Sequence, residues 1–477
     1  MNQSDSVAAG SENPHEVDLV GTPFAVLESD PGLFTMLVRK LGFQHLEVTE
    51  IYDIEPWAVD HLDPIGLIFC YLCTDDTMLP DADEDDIESE YDIPDPDIED
   101  TVWFAHQLSD DACATQAILN VLLNYEDVQL DENIRRFKED TEKMSSVMRG
   151  LALTNCSFIR EAHNSLARPC DIRAAQYSLA TRTLDLSKKS SGNQSSPATK
   201  KRKSTKTQQK KTVKKVKNES ENVDSYHFIG YVPRNGKVYE IDGLRISGPV
   251  EVGEIPQIPS SSSLPNSKQS RRGWIDIVRP ALKLRMQKWE NIQYNLLAIV
   301  ADKFEKASDE LEMLKRERIA LERRLNTEFG GEDGWKDKVD YTMVASSSSS
   351  FSTSLQPSSL TLGPTFSSDF GSLKLQKDIA ILDMPTRNLA PAWEKCVQAS
   401  IPAKVAVEEE ISRSVKINTE HLSRTFDYEP FIQTFVTRMH EEGLLENAMS
   451  GKNGRHGKAT ATPSKKTNST KRKTTKG

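Results

Sequence analysis

The sequence is poor in cysteine, and it contains no long apolar run. Six cysteines in 477 residues are too few for a disulfide-stabilised scaffold. Cys70 and Cys73 form a C-x-x-C, but no second pair of cysteines or histidines stands at zinc-binding spacing. No segment approaches the about 18 consecutive apolar residues of a membrane span, and no signal-peptide-like region opens the chain. We therefore expect an intracellular protein with reduced thiols, no bound metal or other cofactor, and no membrane partner.

Charge of one sign is absent from three segments, although the formal net charge of the chain is only -12. Residues 75–100 contain fourteen acidic side chains and no basic one. Residues 188–217 contain twelve basic side chains and no acidic one, and residues 452–477 contain nine basic and no acidic side chains. Such blocks cannot bury a core and are typical of solvated segments that serve as interaction tails.

Composition and hydrophobic periodicity divide the chain into six regions. They are a flexible N-terminus (1–20), a folded region (21–301), an amphipathic or coiled-coil helix (302–328), a Ser-rich disordered linker (340–380), a helical region (386–450) and a basic disordered tail (451–477). Three segments interrupt the folded region: the acidic insertion (75–100), a basic segment (168–222) and a loose linker (255–272).

A single thiol stands at the start of an apolar helical pattern in "FAHQLSDDACATQAILNVLLN", where Cys113 lies near the beginning of a helix predicted from Ala112 to Asn124. Unpaired N–H groups and the helix dipole favour a thiolate at that position. Gln107 lies six residues earlier, and its amide could join the backbone N–H of Cys113 in binding an oxyanion. Cys113 is therefore a candidate nucleophile, with core packing as the alternative interpretation.

A histidine and an aspartate lie on two strands that the sequence predicts to form a hairpin. His227 occurs in "SYHFIGYV" and Asp242 in "VYEIDGL", on either side of the turn signal Asn235-Gly236. Pairing of the strands would bring Asp242 to the imidazole, where it could fix the tautomer. A thiol nucleophile needs such a base and such an orienting group. The residue types alone leave both interpretations open, because most proteins contain a Cys, a His and an Asp.

The local sequence around these residues resembles that of a known family. "QLSDDACATQAILNVLLN" resembles the nucleophile segment of the ubiquitin C-terminal hydrolase family of cysteine peptidases, and "HFIGYVPRNGKVYEIDGL" resembles its His-to-Asp hairpin. "LESDPGLFTMLVRKLG" resembles the start of its domain, and "AHNSLARP" the segment ahead of its crossover loop. The resemblance covers roughly residues 21–301 and resumes over 386–450, where "FDYEPFIQTFVTRMHEEGLLENAM" resembles the tail domain of the long, proteasome-associated members.

The resemblance implies an α/β (α+β) papain-like domain, with a central antiparallel sheet flanked by helices, followed by a helical C-terminal tail domain. The catalytic roles that it implies are Cys113 as nucleophile, His227 as general base and then acid, Asp242 as the residue that orients His227, and Gln107 as oxyanion stabiliser. It implies no cofactor. His106 and His163 are then assigned to the surface or to packing.

The implied function is that of a deubiquitinating thiol protease that hydrolyses the bond after the C-terminal glycine of ubiquitin. Ubiquitin and its conjugates are the expected partners, together with a proteasome adaptor bound by residues 386–450. The crossover segment 168–222 is much longer than the short loop of the small members, which leaves its tolerance for large conjugates open. Two alternatives remain: a nuclear deubiquitinase acting on histone in chromatin, and a non-catalytic ubiquitin-binding scaffold.

The basic blocks allow three interpretations: solvated linkers, nuclear localisation signals, and contacts with DNA or nucleosomes. Two Lys/Arg clusters separated by a short spacer in "KKRKSTKTQQKKTVKKVK" favour the nuclear localisation signal. We therefore expect the protein in both nucleus and cytoplasm. The acidic block is expected to be a solvated loop, with attraction to ubiquitin or to the basic segments as alternatives.

Overall fold

The computed structural model describes residues 22–73, 101–191, 225–256, 273–288, 294–331, 334–353, 366–367 and 369–445. The chain divides into two compact units, Met1–Phe426 and Asp427–Gly477. Several predicted segments lie outside the described residues: the N-terminus 1–20, the acidic insertion 75–100, most of the loose linker 255–272 and the basic tail 451–477.

The first unit contains helices α1 (Pro31–Lys40), α2 (Pro56–Val59), α3 (Cys113–Leu122), α4 (Glu132–Thr141), α5 (Ser146–Asn155), α6 (Ser157–Asn164), α7 (Pro169–Ser191), α8 (Trp274–Lys288), α9 (Lys303–Glu328), α10 (Tyr341–Ser350), α11 (Phe370–Asp383) and α12 (Thr386–Thr425). The described part of the second unit is helix α13 (Glu429–Glu441). Within the described ranges, no helix is both long and apolar enough to span a bilayer.

The strands of the first unit are β1 (Leu46–Ile51), β2 (Gly66–Cys73), β3 (Ser225–Arg234), β4 (Lys237–Asp242), β5 (Val250–Glu254) and β6 (Tyr294–Ala301). They form one sheet in the order β1-β6-β2-β3-β4-β5, and every neighbouring pair is antiparallel. Asn235 and Gly236 join β3 to β4 with φ values of 50° and 77°. These positive angles are those of the tight hairpin turn that the Asn-Gly pair predicts.

Helices cover both faces of the sheet, which explains why β2 reads as an almost continuous apolar run. Ile68 and Cys70 face a core shared with α1 and α3–α6. The alternate residues of β2 face a second core, which is closed by Trp274 and Val278 of α8. This antiparallel sheet flanked by helices confirms the predicted fold class.

Helices α9–α12 pack around a third apolar core, to which α9 contributes Leu311, Leu314, Leu321 and Leu325. Arg318 interrupts this apolar series. Its guanidinium lies over the Phe351 ring, 4.6 Å from the centroid, and donates to the Ser347 carbonyl at 3.0 Å. The cation therefore serves as a packing element between α9 and the end of α10.

The loop expected over 168–222 is wrong over its first part, because residues 169–191 form helix α7. Pro169 stands at the first helical position, and Arg168 pairs with Asp171 one turn later at 2.6 Å. The described side chains of α7 are largely exposed, so the helix shows no apolar stripe. Periodicity could not reveal a helix that buries so little.

The Ser-rich linker expected over 340–380 is also wrong in part, because α10 and α11 lie within it. Asp340 caps α10 by accepting from the Thr342 N–H at 2.8 Å. Hydroxyls such as those of Ser347 and Ser350 donate to carbonyls one turn earlier. Serine satisfies its side chain locally here, whereas composition alone indicates a loop.

Candidate active site

Cys113 is the first residue of helix α3 and follows a single 3₁₀ turn, Asp110–Ala112. The side chain is partly exposed. Burial of the sulfur raises the pKa of the Cys113 thiol to about 12, while the backbone N–H of Ala114 acts in the opposite sense. At neutral pH the resting chain therefore carries a thiol at this position. Attack on a substrate requires a neighbouring base to remove the proton.

His227 and Asp242 meet across the β3–β4 hairpin. Asp242 pairs in register with Ile229, two residues after the histidine. The buried imidazole of His227 places Nε2 2.7 Å from Asp242 Oδ1, and the same oxygen accepts the backbone N–H of Leu244 at 2.9 Å. The sequence prediction that the hairpin joins these two side chains is therefore correct in geometry.

The charge state of Asp242 determines which imidazole nitrogen carries a proton. Burial would raise the pKa of Asp242, but the hydrogen bond and Coulombic attraction from His227, with the Leu244 N–H, hold it below its ordinary value. The carboxylate is ionised at neutral pH and can only accept, so Nε2 carries the hydrogen. Nδ1 of His227 is then the nitrogen that can take a proton from a thiol.

Two glycines allow helix α3 to lie close to strands β2 and β3. A Cβ on Gly230 would stand 2.7 Å from Cγ2 of Val121, and a Cβ on Gly66 would collide with Cγ1 of the same side chain. Tyr71 of β2 lies opposite His227 in register, with its ring edge-on to the imidazole at 5.7 Å. The helix that begins with Cys113 is thus packed on the strands that carry the histidine.

Gln107 is connected to the hairpin through the backbone. Its N–H donates to the carbonyl of Gly243 at 2.8 Å, immediately after Asp242. The structure therefore docks the loop of Gln107 on the turn that follows Asp242.

Sequence reasoning missed three buried amides, two on α3 and one just after its C-terminus, because the segment is apolar at nearly every other position. Gln116, Asn120 and Asn124 are spaced by four residues and lie on one face of the helix axis. They hydrogen-bond the backbone of Trp103 and Ala105. The available signal was the regular spacing of three amides in an otherwise apolar segment.

The two other histidines near this sequence motif, His163 and His106, contact neighbouring core residues. His163 is fully buried, donates from Nε2 to the Ala25 carbonyl at 2.7 Å and accepts from the Thr115 hydroxyl at 2.7 Å. Burial lowers the pKa of His163 to about 4, so it is neutral at physiological pH. His106 lies edge-on against Phe104 at 4.8 Å.

The described residues include no group of three His, Cys, Asp or Glu side chains that could hold a metal ion. Cys70 of the C-x-x-C is buried in the core beneath α1 and α3. The side chain of Cys73 lies outside the described residues.

Residues 24–271, just over half of the chain, match the family described as ubiquitin carboxyl-terminal hydrolase, family 1. Ubiquitin carboxyl-terminal hydrolase isozyme L5 of Dictyostelium discoideum is 28% identical over 314 residues, 65% of this chain and 71% of that protein. BAP1 of Gallus gallus is 29% identical over 292 residues, 61% of this chain and 35% of that protein. The Trichinella spiralis UCH37 catalytic domain, crystallised with ubiquitin vinyl methyl ester, is 26% identical, with a TM-score of 0.38 over 58% of this chain and 96% of that one. Because the family match spans more than half of its length, the chain belongs to ubiquitin carboxyl-terminal hydrolase family 1 and is a cysteine-type deubiquitinase.

Proposed function

We propose that the chain hydrolyses the bond after the C-terminal glycine of ubiquitin, with Cys113, His227, Asp242 and Gln107 in the catalytic roles. The observation that carries this assignment is the 2.7 Å bond between His227 Nε2 and Asp242 Oδ1. It leaves Nδ1 of His227 as the proton acceptor. Helix α3, which begins with the thiol, lies close to the strand that carries this histidine at Val121 and Gly230.

In the first half-reaction, Nδ1 of His227 takes the thiol proton of Cys113, and sulfur attacks the carbonyl carbon of the terminal glycine. The oxygen of the tetrahedral intermediate accepts hydrogen bonds from the Gln107 amide and the Cys113 backbone N–H. The imidazolium then returns its proton to the leaving amine as the C–N bond breaks. Ubiquitin remains bound to sulfur as a thioester.

In the second half-reaction, water replaces the amine. Nδ1 of His227 accepts a proton from the attacking water, the C–S bond breaks, and the proton passes to the Cys113 sulfur. Throughout, the Asp242 carboxylate stabilises the imidazolium and holds its tautomer without itself becoming protonated.

We infer that the enzyme works in ubiquitin-dependent protein catabolism, bound to the proteasome through residues 386–450. Support comes from α13, whose apolar Phe431, Ile432, Phe435 and Val436 are exposed, Phe431 by 67%. An apolar stripe of this kind is typical of a docking surface.

A chromatin role, removing ubiquitin from histone, is the second candidate. The two basic tracts favour it, because lysine-rich segments attract DNA phosphates without reading sequence. We propose a distribution between nucleus and cytoplasm, which either role accommodates. A non-catalytic ubiquitin-binding scaffold is the third candidate, and it would have no use for a buried His227–Asp242 pair.

The decisive experiment uses a ubiquitin probe that carries an electrophile at its C-terminus. Wild type should form a covalent adduct, and Cys113→Ala should form none. Cys170→Ala is the matched control, because Cys170 is an exposed thiol in the same unit and should leave labelling unchanged. Equal labelling of Cys113→Ala and wild type would refute the nucleophile assignment. No labelling of wild type would favour the scaffold.

A further inference from the structure

Buried side-chain amides in and just after helix α3 hydrogen-bond backbone N–H and C=O groups, as the backbone of a neighbouring strand would. Asn120 accepts the Ala105 N–H at 2.9 Å and donates to the Ala105 carbonyl at 3.3 Å. Asn124 forms the same two-way pairing with Trp103, at 2.7 and 2.8 Å. Gln116 donates to the Ala105 carbonyl as well. The backbone N–H and C=O groups of residues 103 and 105 are therefore satisfied by side chains of α3 and of Asn124 just after it.

The segment held in this way leads directly to Gln107. The next residue, His106, donates its backbone N–H to the Ser146 carbonyl at 3.1 Å, and Gln107 donates to the Gly243 carbonyl at 2.8 Å. The backbone N–H groups of Ala105, His106 and Gln107 are thus each held by a hydrogen bond.

Both groups assigned to the oxyanion are positioned by the same helix. The Cys113 N–H lies at its first residue, and Asn120 lies two turns further along. Gln116, between them, also lines the turn after Asp242, where a Cβ on Gly243 would stand 3.3 Å from Gln116 Cγ and 3.1 Å from Gln107 Cβ. The helix that supplies the Cys113 N–H therefore also supplies side-chain contacts to the segment that leads to Gln107.

We propose that Asn120 and Gln116 are positioning residues that set the distance between the Gln107 amide and the Cys113 N–H. The inference rests on the proposed function and deepens it. Oxyanion donors are effective only within about 2.7–3.1 Å of the developing charge, and a shift near 1 Å costs about 10²-fold in rate. Asn120 and Gln116 are 1% and 3% exposed, so water cannot take over their hydrogen bonds.

The test is a double-mutant cycle between Asn120→Ala and Gln107→Ala, measured with a fluorogenic ubiquitin C-terminal amide. Gln107→Ala alone should lower kcat by about 10²–10³-fold. Asn120→Ala alone should lower kcat about tenfold, with KM within about twofold, because the transition state and not ground-state binding loses a contact. In the Gln107→Ala background, Asn120→Ala should cost less than about twofold, because the group that it positions is gone.

A second variant guards against misfolding of the first. Gln116→Met keeps the side-chain stem against Gly243 but removes the bond to the Ala105 carbonyl, and it should show the same kcat pattern. Asn155→Ala is the control, because that amide bonds only a carbonyl of its own helix, Leu151, at 2.9 Å, and its kcat should match wild type.

Equal fold-losses for Asn120→Ala in both backgrounds, or an unchanged kcat in both positioning variants, would overturn the inference. Failure of the proposed function has a different signature, since wild type would then show no hydrolysis, or Cys113→Ala would retain it.

Discussion

At the residue scale, the negative charge of Asp242 is what stabilises the His227 imidazolium in the proposed mechanism. Its carboxylate accepts from His227 and from the Leu244 N–H, and both contacts favour the ionised form. Asp242→Asn keeps the shape but places an amide beside Nε2, which supports neither the imidazolium nor the required tautomer. We expect kcat to fall by at least about 10²-fold, with thermal stability close to wild type.

The control for this prediction is Asp60→Asn. Asp60 also lies in an ion pair, with Arg279 at 2.8 Å, but it is exposed and lies outside the β3–β4 hairpin. Its replacement should leave kcat unchanged. A loss below about threefold for Asp242→Asn would contradict the role given to the carboxylate.

Because His163 is buried and lies outside the proposed catalytic residues, we expect it to make the free energy of unfolding, and not kcat, depend on pH. Burial lowers its pKa to about 4 from an ordinary 6.5, so between these values the unfolded chain binds more protons than the folded one. The contribution of His163 to the free energy of unfolding is fully present above pH 6.5. It is lost, by about 1.4 kcal/mol per pH unit, as the pH falls toward 4. His163→Gln keeps a donor for the Ala25 carbonyl but does not titrate.

Urea unfolding of wild type and His163→Gln between pH 7 and pH 5 measures this effect, because the other titrating groups are common to both proteins. The difference in free energy of unfolding between them should shrink as the pH falls. Parallel curves would show that His163 already carries a proton in the folded state or does not titrate on unfolding.

At the element scale, the position of helix α3 depends on close approach to strand β3. Gly230→Ala would place a Cβ 2.7 Å from Val121 Cγ2, and neither the strand nor a branched valine can move aside easily. We expect Gly230→Ala to lower the free energy of unfolding by about 1–3 kcal/mol and to lower kcat by shifting helix α3, which begins with Cys113, relative to strand β3, which carries His227.

Adding Val121→Ala should restore part of this loss, because it removes the methyl that the new Cβ meets. The double variant should therefore lose less than the sum of the two single variants, as measured by urea unfolding. Gly371→Ala is the control, since a Cβ there meets nothing within 4 Å. Simple additivity would place the strain somewhere other than the α3–β3 contact.

The elements that sequence could predict are those whose pattern is set locally. Asn235-Gly236 specifies the hairpin turn, and the alternation within β3 and β4 then fixes the meeting of His227 and Asp242. The predicted start of a helix near Cys113 follows from the apolar residues after it. These features require no knowledge of distant contacts.

The elements that sequence did not reveal depend on neighbours that are remote in the chain. In the sequence, Asn120 interrupts an apolar helical segment, and the structure explains it by the hydrogen bond from the Ala105 N–H. Arg318 likewise interrupts the apolar series of α9, and the structure explains it by the contact of its guanidinium with the Phe351 ring. Helix α7 has no buried apolar stripe from which periodicity could predict it. Helix α10 is rich in serine, which by composition indicates a loop, but its hydroxyls donate to carbonyls of the same helix. Tertiary pairing outweighs local propensity at each of these positions.

At the scale of the whole molecule, the exposed face of α13 carries the proposed link to an adaptor. Phe431 and Phe435 stack with ring centroids 6.2 Å apart, and both are more than half exposed. Their replacement by Ala should abolish copurification of the adaptor from cells while leaving Cys113 labelling by the ubiquitin probe intact. Thr434→Ala, on the same helix and also exposed, should change neither readout.

Mass spectrometry of the copurified proteins also separates the two cellular roles. Proteasome subunits that depend on Phe431 and Phe435 would support the catabolic role, and chromatin subunits would support the histone role. Unchanged copurification with the double replacement would remove docking from this face.

We propose that the basic blocks act as a localisation signal for the whole chain and not as part of the active site. A transport receptor needs only accessible positive charge, whereas catalysis needs groups fixed to a fraction of an ångström. Neutralising Lys200 to Lys203, Lys210 and Lys211, together with Lys471 to Lys473, should shift the protein toward the cytoplasm, as imaged in cells. Hydrolysis of a small ubiquitin substrate should change little at physiological salt, where charges beyond about 8 Å are largely screened. Neutralising Lys374 and Lys377 of α11 instead is a control for lysine replacement outside the basic blocks, and it should not alter location. A large fall in kcat would give the tracts a catalytic role, and unchanged nuclear accumulation with lost nucleosome binding would favour the chromatin function.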